Sequence, residues 1–195
     1  MVAPEVKVAG PNERASVLNT LTLAFTVDPP IRWFFPSADE YLQYFTRFVL
    51  GMGGRAFEHG TAFYLSDFTA AALWLPPNVT SDQAALMEMF GALAWPEEKA
   101  MDLGGVAAQV DAHHPHEPHW YLAFLGADAA YQGKGLGSML MKHALARCDR
   151  DHLPAYLESS SPKNVPFYER HGFEAIGRVQ AGSSPVITPM LRQPR

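Results

Sequence analysis

The stretch "YQGKGLGSMLMKHAL", Tyr131–Leu145, decides how this chain is read. Gly133, Gly135 and Gly137 alternate with other residues, and apolar residues at helical spacing follow at once. The first amides of a helix have no intrahelical acceptors, and the helix dipole is positive there. Glycines in front of such a start let an anion reach the backbone with no Cβ in the way. Two phosphate-binding patterns do not fit. A nucleotide P-loop, G-x-x-x-x-G-K-[ST], would need Gly at 128 and Ser or Thr at 135, where the chain has Asp128 and Gly135. The dinucleotide pattern G-x-G-x-x-G accepts Gly133 and Gly135, but its third glycine falls one place early, at Gly137, and no βαβ unit follows.

Outward from this loop, strands and helices mix along the whole chain. Upstream lies "PHWYLAFLG", an apolar run bounded by proline and glycine, as in a buried central strand. Its Gly126 marks a bulge or a close backbone approach. Downstream, the helix runs to about Asp149, and "LPAYLES" gives another strand. "NVPFYERHG" gives a short helix capped by Asn164 and ended by Gly172, and "FEAIGRV" with "PVITPML" a closing hairpin. Toward the N-terminus, "VKVA" alternates like a strand, and "PNERASVLNTLTLAF" spaces its apolar residues like a helix with Pro11 in its first turn. "TVDPPIRWFFPSADEY" reads as a proline-rich aromatic loop, and "DEYLQYFTRFVLGMGG" as a helix stopped by glycines. "TAFYLSDFTAAALWLPP" reads as two strands around Ser66-Asp67-Phe68. Two helices follow, "SDQAALMEMFGALAW" capped by Ser81 and "PEEKAMDLGGVAAQVDAHH" opened by Pro96. With no repeat or low-complexity linker, the expectation is one mixed α/β domain over residues 1–195.

Composition narrows the class. Of 195 residues, 48% are hydrophobic and 18% charged, so a sizeable core is available. A formal net charge of -5 argues against a nucleic-acid surface. The single cysteine, Cys148, allows no intrachain disulfide. "MVAPEVKVAGPNER" lacks the apolar centre of a signal peptide, and no segment reaches the roughly 18 apolar residues of a membrane span. The expectation is a cytoplasmic protein without membrane or nucleic-acid partners.

A third reading of the loop remains, [QR]-x-x-G-x-[GA], matched by Gln132-Gly133-Lys134-Gly135-Leu136-Gly137. Taken with "HPHEPHWYLAFLG", "LPAYLESSSPKNVPFYERHGF" and, more weakly, "AALWLPP" and "LTLAFTVDPPIRW", the chain resembles the GNAT superfamily of N-acetyltransferases, and within it the puromycin N-acetyltransferase-like branch. The resemblance is dense from His113 to Phe173 and loose before. It implies an α/β fold with a mixed, mostly antiparallel sheet flanked by helices, whose fourth and fifth strands splay apart. It further implies an acetyl-CoA donor, bound by residues 113–195, and a small-molecule primary amine as acceptor, with residues 1–112 mainly on the acceptor side and the protein acting as a monomer or homodimer.

By that resemblance the pantetheine arm pairs with the backbone of Leu125, Gly126 and Ala127, the amides of Gly133, Lys134, Gly135, Leu136, Gly137 and Ser138 after Gln132 hold the pyrophosphate, and Asn164 reaches the arm. Tyr168 matches the family's general acid and also touches the cofactor; Glu158 is the candidate base through a water, and the Leu125 N–H the oxyanion donor. Leu125-Gly126-Ala127-Asp128-Ala129 departs from the family's hydrophobic-Gly-Val-x-Pro run, so a longer acyl group stays open beside acetyl. The alternative to an enzyme is a non-catalytic acyl-CoA-binding module. Cys148 reads as a small buried thiol. His113, His114, His116 and His119 match no common zinc spacing, so no metal is expected; they read as a rigid lead-in to the fourth strand beside the acceptor pocket. Phe25, Trp33, Phe34 and Phe35 suit either a pocket wall or core.

Overall fold

The computed structural model describes residues 4–195; the first three residues of the N-terminal stretch read above lie outside them. Fourteen elements follow in order: β1 Val6–Val8, α1 Arg14–Ala24, α2 Pro29–Phe34, α3 Ala38–Gly53, β2 Ala62–Leu65, β3 Ala70–Leu75, α4 Gln83–Gly91, α5 Glu97–His113, β4 Trp120–Ala127, α6 Leu136–Asp151, β5 Ala155–Ser159, α7 Val165–Glu169, β6 Glu174–Ala175 and β7 Thr188–Arg192. The strands form one seven-stranded sheet in the order β1-β2-β3-β4-β5-β7-β6. All neighbours are antiparallel except β4 and β5, which run parallel. The fold is the expected mixed, mostly antiparallel sheet flanked by helices.

Alternation along the strands divides the core into two layers. Tyr64, Ala71, Leu73, Leu75, Tyr121 and Tyr156 face Val17, Leu21, Phe45 and Val49 of α1 and α3. Phe63, Leu65, Ala72, Trp74, Trp120 and Leu157 face Leu140, Met141, Ala144 and Cys148 of α6. The period of two breaks once. Leu73 pairs with Phe124 and Trp74 with Leu122, so Ala123 is an extra residue in β4. That bulge puts consecutive Ala123 and Phe124 on the α1 and α3 face and sends Leu125 to the other.

β4 and β5 pair at two positions only, Trp120 with Ala155 and Tyr121 with Tyr156. Beyond them the strands part, which is the expected splay. β7 occupies the far side of β5, pairing from Arg192 opposite Ala155 to Thr188 opposite Ser159. Arg192 is buried and forms a bidentate pair with Asp149 of α6 at 2.7 and 2.9 Å, tying β7 to the helix behind the sheet.

Several local expectations change. Pro11 lies in a turn before α1 rather than within it, because Glu13 occupies the N-cap position. The aromatic loop contains α2, for Asp28 accepts from the Ile31 amide and Pro29 fills the first helical position. Asp82, not Ser81, caps α4, and Ser81 donates instead to the Met52 carbonyl. That helix ends at Gly91, short of Trp95. Asn164 makes no capping bond; it ends a 3-10 turn, Pro162–Asn164, that Ser161 caps. The closing hairpin forms, with β6 reduced to two residues and a further bridge between Val179 and Ile187.

The bulge sits at Ala123, three residues before the glycine expected to mark it. Gly126 is the close approach instead: a Cβ there would lie 2.6 Å from Ala24 Cβ and 2.9 Å from the Phe25 ring. Gly126→Ala is therefore expected to destabilise by about 1–3 kcal/mol through overpacking. Gly104→Ala, in the interior of α5 with open space around it, is expected to stabilise by up to about 1 kcal/mol. Chemical denaturation of the two variants reads these opposite signs.

Candidate active site

A continuous cleft of about 1600 Å³ runs from the α2, α4 and α5 side of the sheet, through the gap between β4 and β5, to the glycine loop. Past Tyr121 no β5 residue pairs with β4, so the edge of Leu122–Ala127 that faces the gap has no strand partner. At the mouth of the gap the chain turns through Gly133 and Gly135 at φ +75° and +80°, conformations that favour glycine. Gly135 caps α6 with no side-chain bond, and the first amide to bond within the helix is Met139, to the Gly135 carbonyl at 3.2 Å. A Cβ at Gly133 or Gly135 would meet nothing within 4 Å. Unpaired helix-start amides beside open space form a cradle that could hold an anionic group such as a pyrophosphate.

Leu125, Gly126, Ala127, Gln132, Gly133, Gly135, Leu136, Gly137, Ser138, Asn164, Glu158 and Tyr168 all line this one cleft. The side chains of two loop residues turn back on the chain. Gln132 donates to the Ala127 carbonyl at 3.2 Å, bracing the loop against the end of β4. Lys134 lies 4.6 Å from the Tyr131 ring and donates to the Ala130 carbonyl, outside the cleft lining.

Glu158 stands on the face of the sheet shared with Tyr121 and Tyr156. The two rings stack at 6.0 Å between centroids, at the last paired rung of β4 and β5. Tyr121 donates its hydroxyl to Glu158 Oε2 at 2.7 Å. Glu158 Oε1 is buried without a hydrogen-bond partner and faces His114 Nδ1 at 3.6 Å. His114 Nε2 lies 3.0 Å from His119 Nε2, and His119 Nδ1 lies 2.8 Å from the Glu117 carbonyl. Burial raises the pKa of Tyr121 and of Tyr156, and the Glu158 charge adds to both. Burial lowers that of His119.

Across the cleft, Ser160 donates to Asp28 Oδ2. Burial pushes the Asp28 carboxyl up to about 6, against the Ser160 and Ile31 hydrogen bonds that favour its ionised form. Tyr168 packs edge-on to Phe167 and Phe173, and burial, with a smaller contribution from the Asp28 charge, raises its pKa. Sequence reasoning passed over Asp28, Ser160 and Tyr121. The signal for Asp28 was present: an aspartate directly before two prolines is a helix N-cap.

Phe25 and Phe34 line the cleft, whereas Phe35 is wholly core and Trp33 packs beside Trp95 under Lys99. Cys148 is buried, as expected, and burial pushes its thiol up to about 12. Among the described residues no group of three or more His, Cys, Asp or Glu could hold a metal ion. No helix among them is long and apolar enough to cross a membrane.

Residues 61–173 match the model of the Acetyltransferase (GNAT) family. An uncharacterized N-acetyltransferase of Schizosaccharomyces pombe is 27% identical over 151 residues, covering 69% of this chain and 60% of the relative. The chain spans about six-tenths of the length of the curated relatives it matches. Among solved structures, histone acetyltransferase HPA2 and related acetyltransferase from Corynebacterium glutamicum superposes with a TM-score of 0.71 at 22% identity, covering 100% of this chain and 98% of that one. The polyamine N acetyltransferase of Drosophila melanogaster, which catalyses formation of N acetylagmatine, gives a TM-score of 0.67 at 16% identity, covering 97% and 99%. At these identities the two structures share the fold.

The Asp28 shift has a signature in stability. Its folded pKa of about 6 lies above the ordinary 3.8, so between those values the folded state binds more protons and stability falls as pH rises. Asp28→Asn keeps a capping side chain but cannot ionise. The thermal midpoint of the variant minus that of the native chain should rise from about pH 4 to about pH 6 and then level off. A difference that does not change with pH would show that Asp28 does not titrate there.

Proposed function

The chain belongs to the Acetyltransferase (GNAT) family, and we propose that it transfers an acetyl group from acetyl-CoA directly to a primary amine of a small molecule. The observation that carries this reading is the single cleft that brings Glu158 and Tyr168 to one gap whose far end is the glycine loop. Acetyl-CoA supplies an acyl group activated as a thioester. Residues Gly133–Ser138 hold its pyrophosphate through backbone amides, Leu125, Gly126 and Ala127 offer the unpaired edge of β4 to its arm, and Asn164 reaches the same arm. The donor side falls within residues 113–195, and residues 1–112 supply most of the acceptor wall.

The residues divide the proton work. Glu158 accepts a proton from the amine through a water, because only the neutral amine is nucleophilic. The Leu125 N–H stabilises the oxyanion. Tyr168, protonated at neutral pH as a phenol is, gives its hydroxyl proton to the departing sulfur and regains one from solvent. No enzyme nucleophile intervenes, which is consistent with the buried thiol of Cys148. The presence of both Glu158 and Tyr168 in the cleft supports an enzyme over a passive acyl-CoA-binding module. The wall formed by Phe25, Phe34, Phe48 and Phe90 suits an amine with an apolar or aromatic body. The product of the Drosophila enzyme, N acetylagmatine, is in keeping with a small-molecule amine acceptor and does not bear on an apolar body. The puromycin N-acetyltransferase-like branch is the finer placement we favour, on "HPHEPHWYLAFLG" and "LESSSPKNVPFYERHGF".

A screen of amines with acetyl-CoA, followed by release of free thiol, tests the reading; no turnover with any amine would overturn it. CoA should raise the thermal midpoint. Gly135→Asp, which sets a Cβ and a negative charge against the pyrophosphate, should abolish that shift. Tyr168→Phe should lower turnover by about 10²–10⁴-fold with CoA affinity nearly unchanged. Equal loss of CoA binding would assign Tyr168 to packing alone.

A further inference from the structure

A base that takes one proton per turnover must also release it, and Glu158 is poorly placed to do so alone. Its side chain is 13% exposed; Oε2 is occupied by the Tyr121 hydroxyl and Oε1 is buried without a partner. The neighbouring histidines have a fixed hydrogen order. A carbonyl only accepts, so His119 Nδ1, 2.8 Å from the Glu117 oxygen, carries a hydrogen. In neutral His119 the Nε2 is then bare, and the 3.0 Å contact requires the hydrogen on His114 Nε2. Neutral His114 therefore turns a bare Nδ1 toward the bare Oε1 of Glu158. Two lone pairs at 3.6 Å become a hydrogen bond only when one proton enters between them. Rings pack the pair on several sides: Tyr156 at 4.7 Å, His119 at 4.8 Å and Tyr121 at 5.4 Å from the His114 centroid.

We propose that His114, its tautomer set by His119, is a proton exit from Glu158, carrying to solvent the proton that the amine loses. The proposal rests on the acetyl-transfer reading of the cleft. The proton taken by Glu158 passes from Oε1 to His114 Nδ1, leaving a carboxylate beside an imidazolium. His114, whose side chain is 35% exposed, then loses that Nδ1 proton to water and keeps its Nε2 hydrogen toward His119, so both rings end in the tautomers they began in. One proton enters at Glu158 and one leaves at His114. The ionisable and charged groups around the route are Glu158 and Tyr156 from β5, Tyr121 from β4, Glu117 before it, and Asp111 and His116 on the rim of the same cleft. Burial lowers the pKa of His119, which favours the neutral ring that accepts the His114 hydrogen. Of the four histidines, His113 is not on the route, since its Nδ1 contacts the Gln109 carbonyl within α5.

Two measurements on the full chain test this. The first needs no substrate: nitrogen NMR of the histidine rings at a pH where they are neutral. Hydrogen on Nε2 of His114 and on Nδ1 of His119 is expected; the same tautomer in both rings would overturn the proposal whether or not an amine substrate is known. The second uses His114→Gln, with the CoA-induced thermal shift as the check that fold and donor site persist. In weak buffer kcat should fall about tenfold or more with KM for acetyl-CoA unchanged, and added imidazole should restore it in proportion to its concentration. A variant with native kcat, or one slowed equally at every imidazole concentration, would assign His114 to packing. Absence of turnover in the native chain would instead count against the acetyl-transfer reading, and the tautomers would still decide the hydrogen order.

Discussion

The gap between β4 and β5 is the constraint on which the rest of the molecule depends. Two parallel strands that pair at Trp120–Ala155 and Tyr121–Tyr156 and then separate leave backbone polar groups without a ladder. Buried groups of that kind are costly unless water or a ligand bonds them, so the gap persists only where something can enter it. The surrounding elements hold it open. On the far side of β5, β7 pairs along the entire strand. On the far side of β4, β3 pairs through the bulge at Ala123, which adds a residue and bends the strand. On the face of the sheet, the contact of Gly126 with Ala24 and Phe25 seats the end of α1 against the diverging edge.

The same divergence decides where charge can sit. Glu158 follows the last paired rung by two residues, so it shares a face with Tyr156 and receives the Tyr121 hydroxyl from the neighbouring strand. Asp28 arrives from the other wall, fixed by its role as N-cap of α2 and held by Ser160, just beyond the end of β5. The two carboxylates have different surroundings. Glu158 is set against two phenols and a histidine pair, while Asp28 is set in an apolar turn that pushes its pKa up to about 6. Asp28 also bears on Tyr168: as it ionises, its charge makes the phenol hold its proton more tightly. The phenol proposed as the donor to the leaving sulfur and a carboxylate with a pKa of about 6 are thereby coupled across the cleft.

The parts of this design that depend on local chemistry were legible in the sequence. Alternation marked β1, the turn at Ser66-Asp67-Phe68 separated β2 from β3, the glycines marked the loop where Gly133 and Gly135 take positive φ, and the apolar run before them gave β4. What escaped depends on contacts distant along the chain. Nothing near Gly126 in sequence announces that Ala24 and Phe25 lie against it, and the bulge at Ala123 follows from its pairing with β3, not from its own residue type. Tyr121 and Glu158 are 37 residues apart, and Asp28 and Ser160 are 132 apart. Capping failed where two candidates were adjacent: Ser81 and Asp82 both suit an N-cap, and tertiary demand from the Met52 carbonyl took the serine away. The histidine segment was read as rigid lead-in, which its prolines justify; only the folded register joins His114 and His119 while leaving His113 aside.

The run Leu125-Gly126-Ala127-Asp128-Ala129 departs from the pattern the family resemblance implies, and the structure contains a replacement for what proline would supply there. A proline fixes the turn after β4 by locking φ. Here Asp128 does so with hydrogen bonds. Its amide donates to the Thr69 carbonyl at 3.0 Å, and its side chain accepts from the Ala130 amide at 3.0 Å, capping the 3-10 turn Ala129–Tyr131. Gln132 then reaches back to the Ala127 carbonyl, closing the loop on the strand it left. The path from β4 to α6 is set by two local hydrogen bonds and one to Thr69, just before β3, rather than by one stiff residue. Ala127, which lines the cleft beside the unpaired edge of β4, brings no branched side chain to it, so polar contacts fix the turn with no branched residue against the cleft.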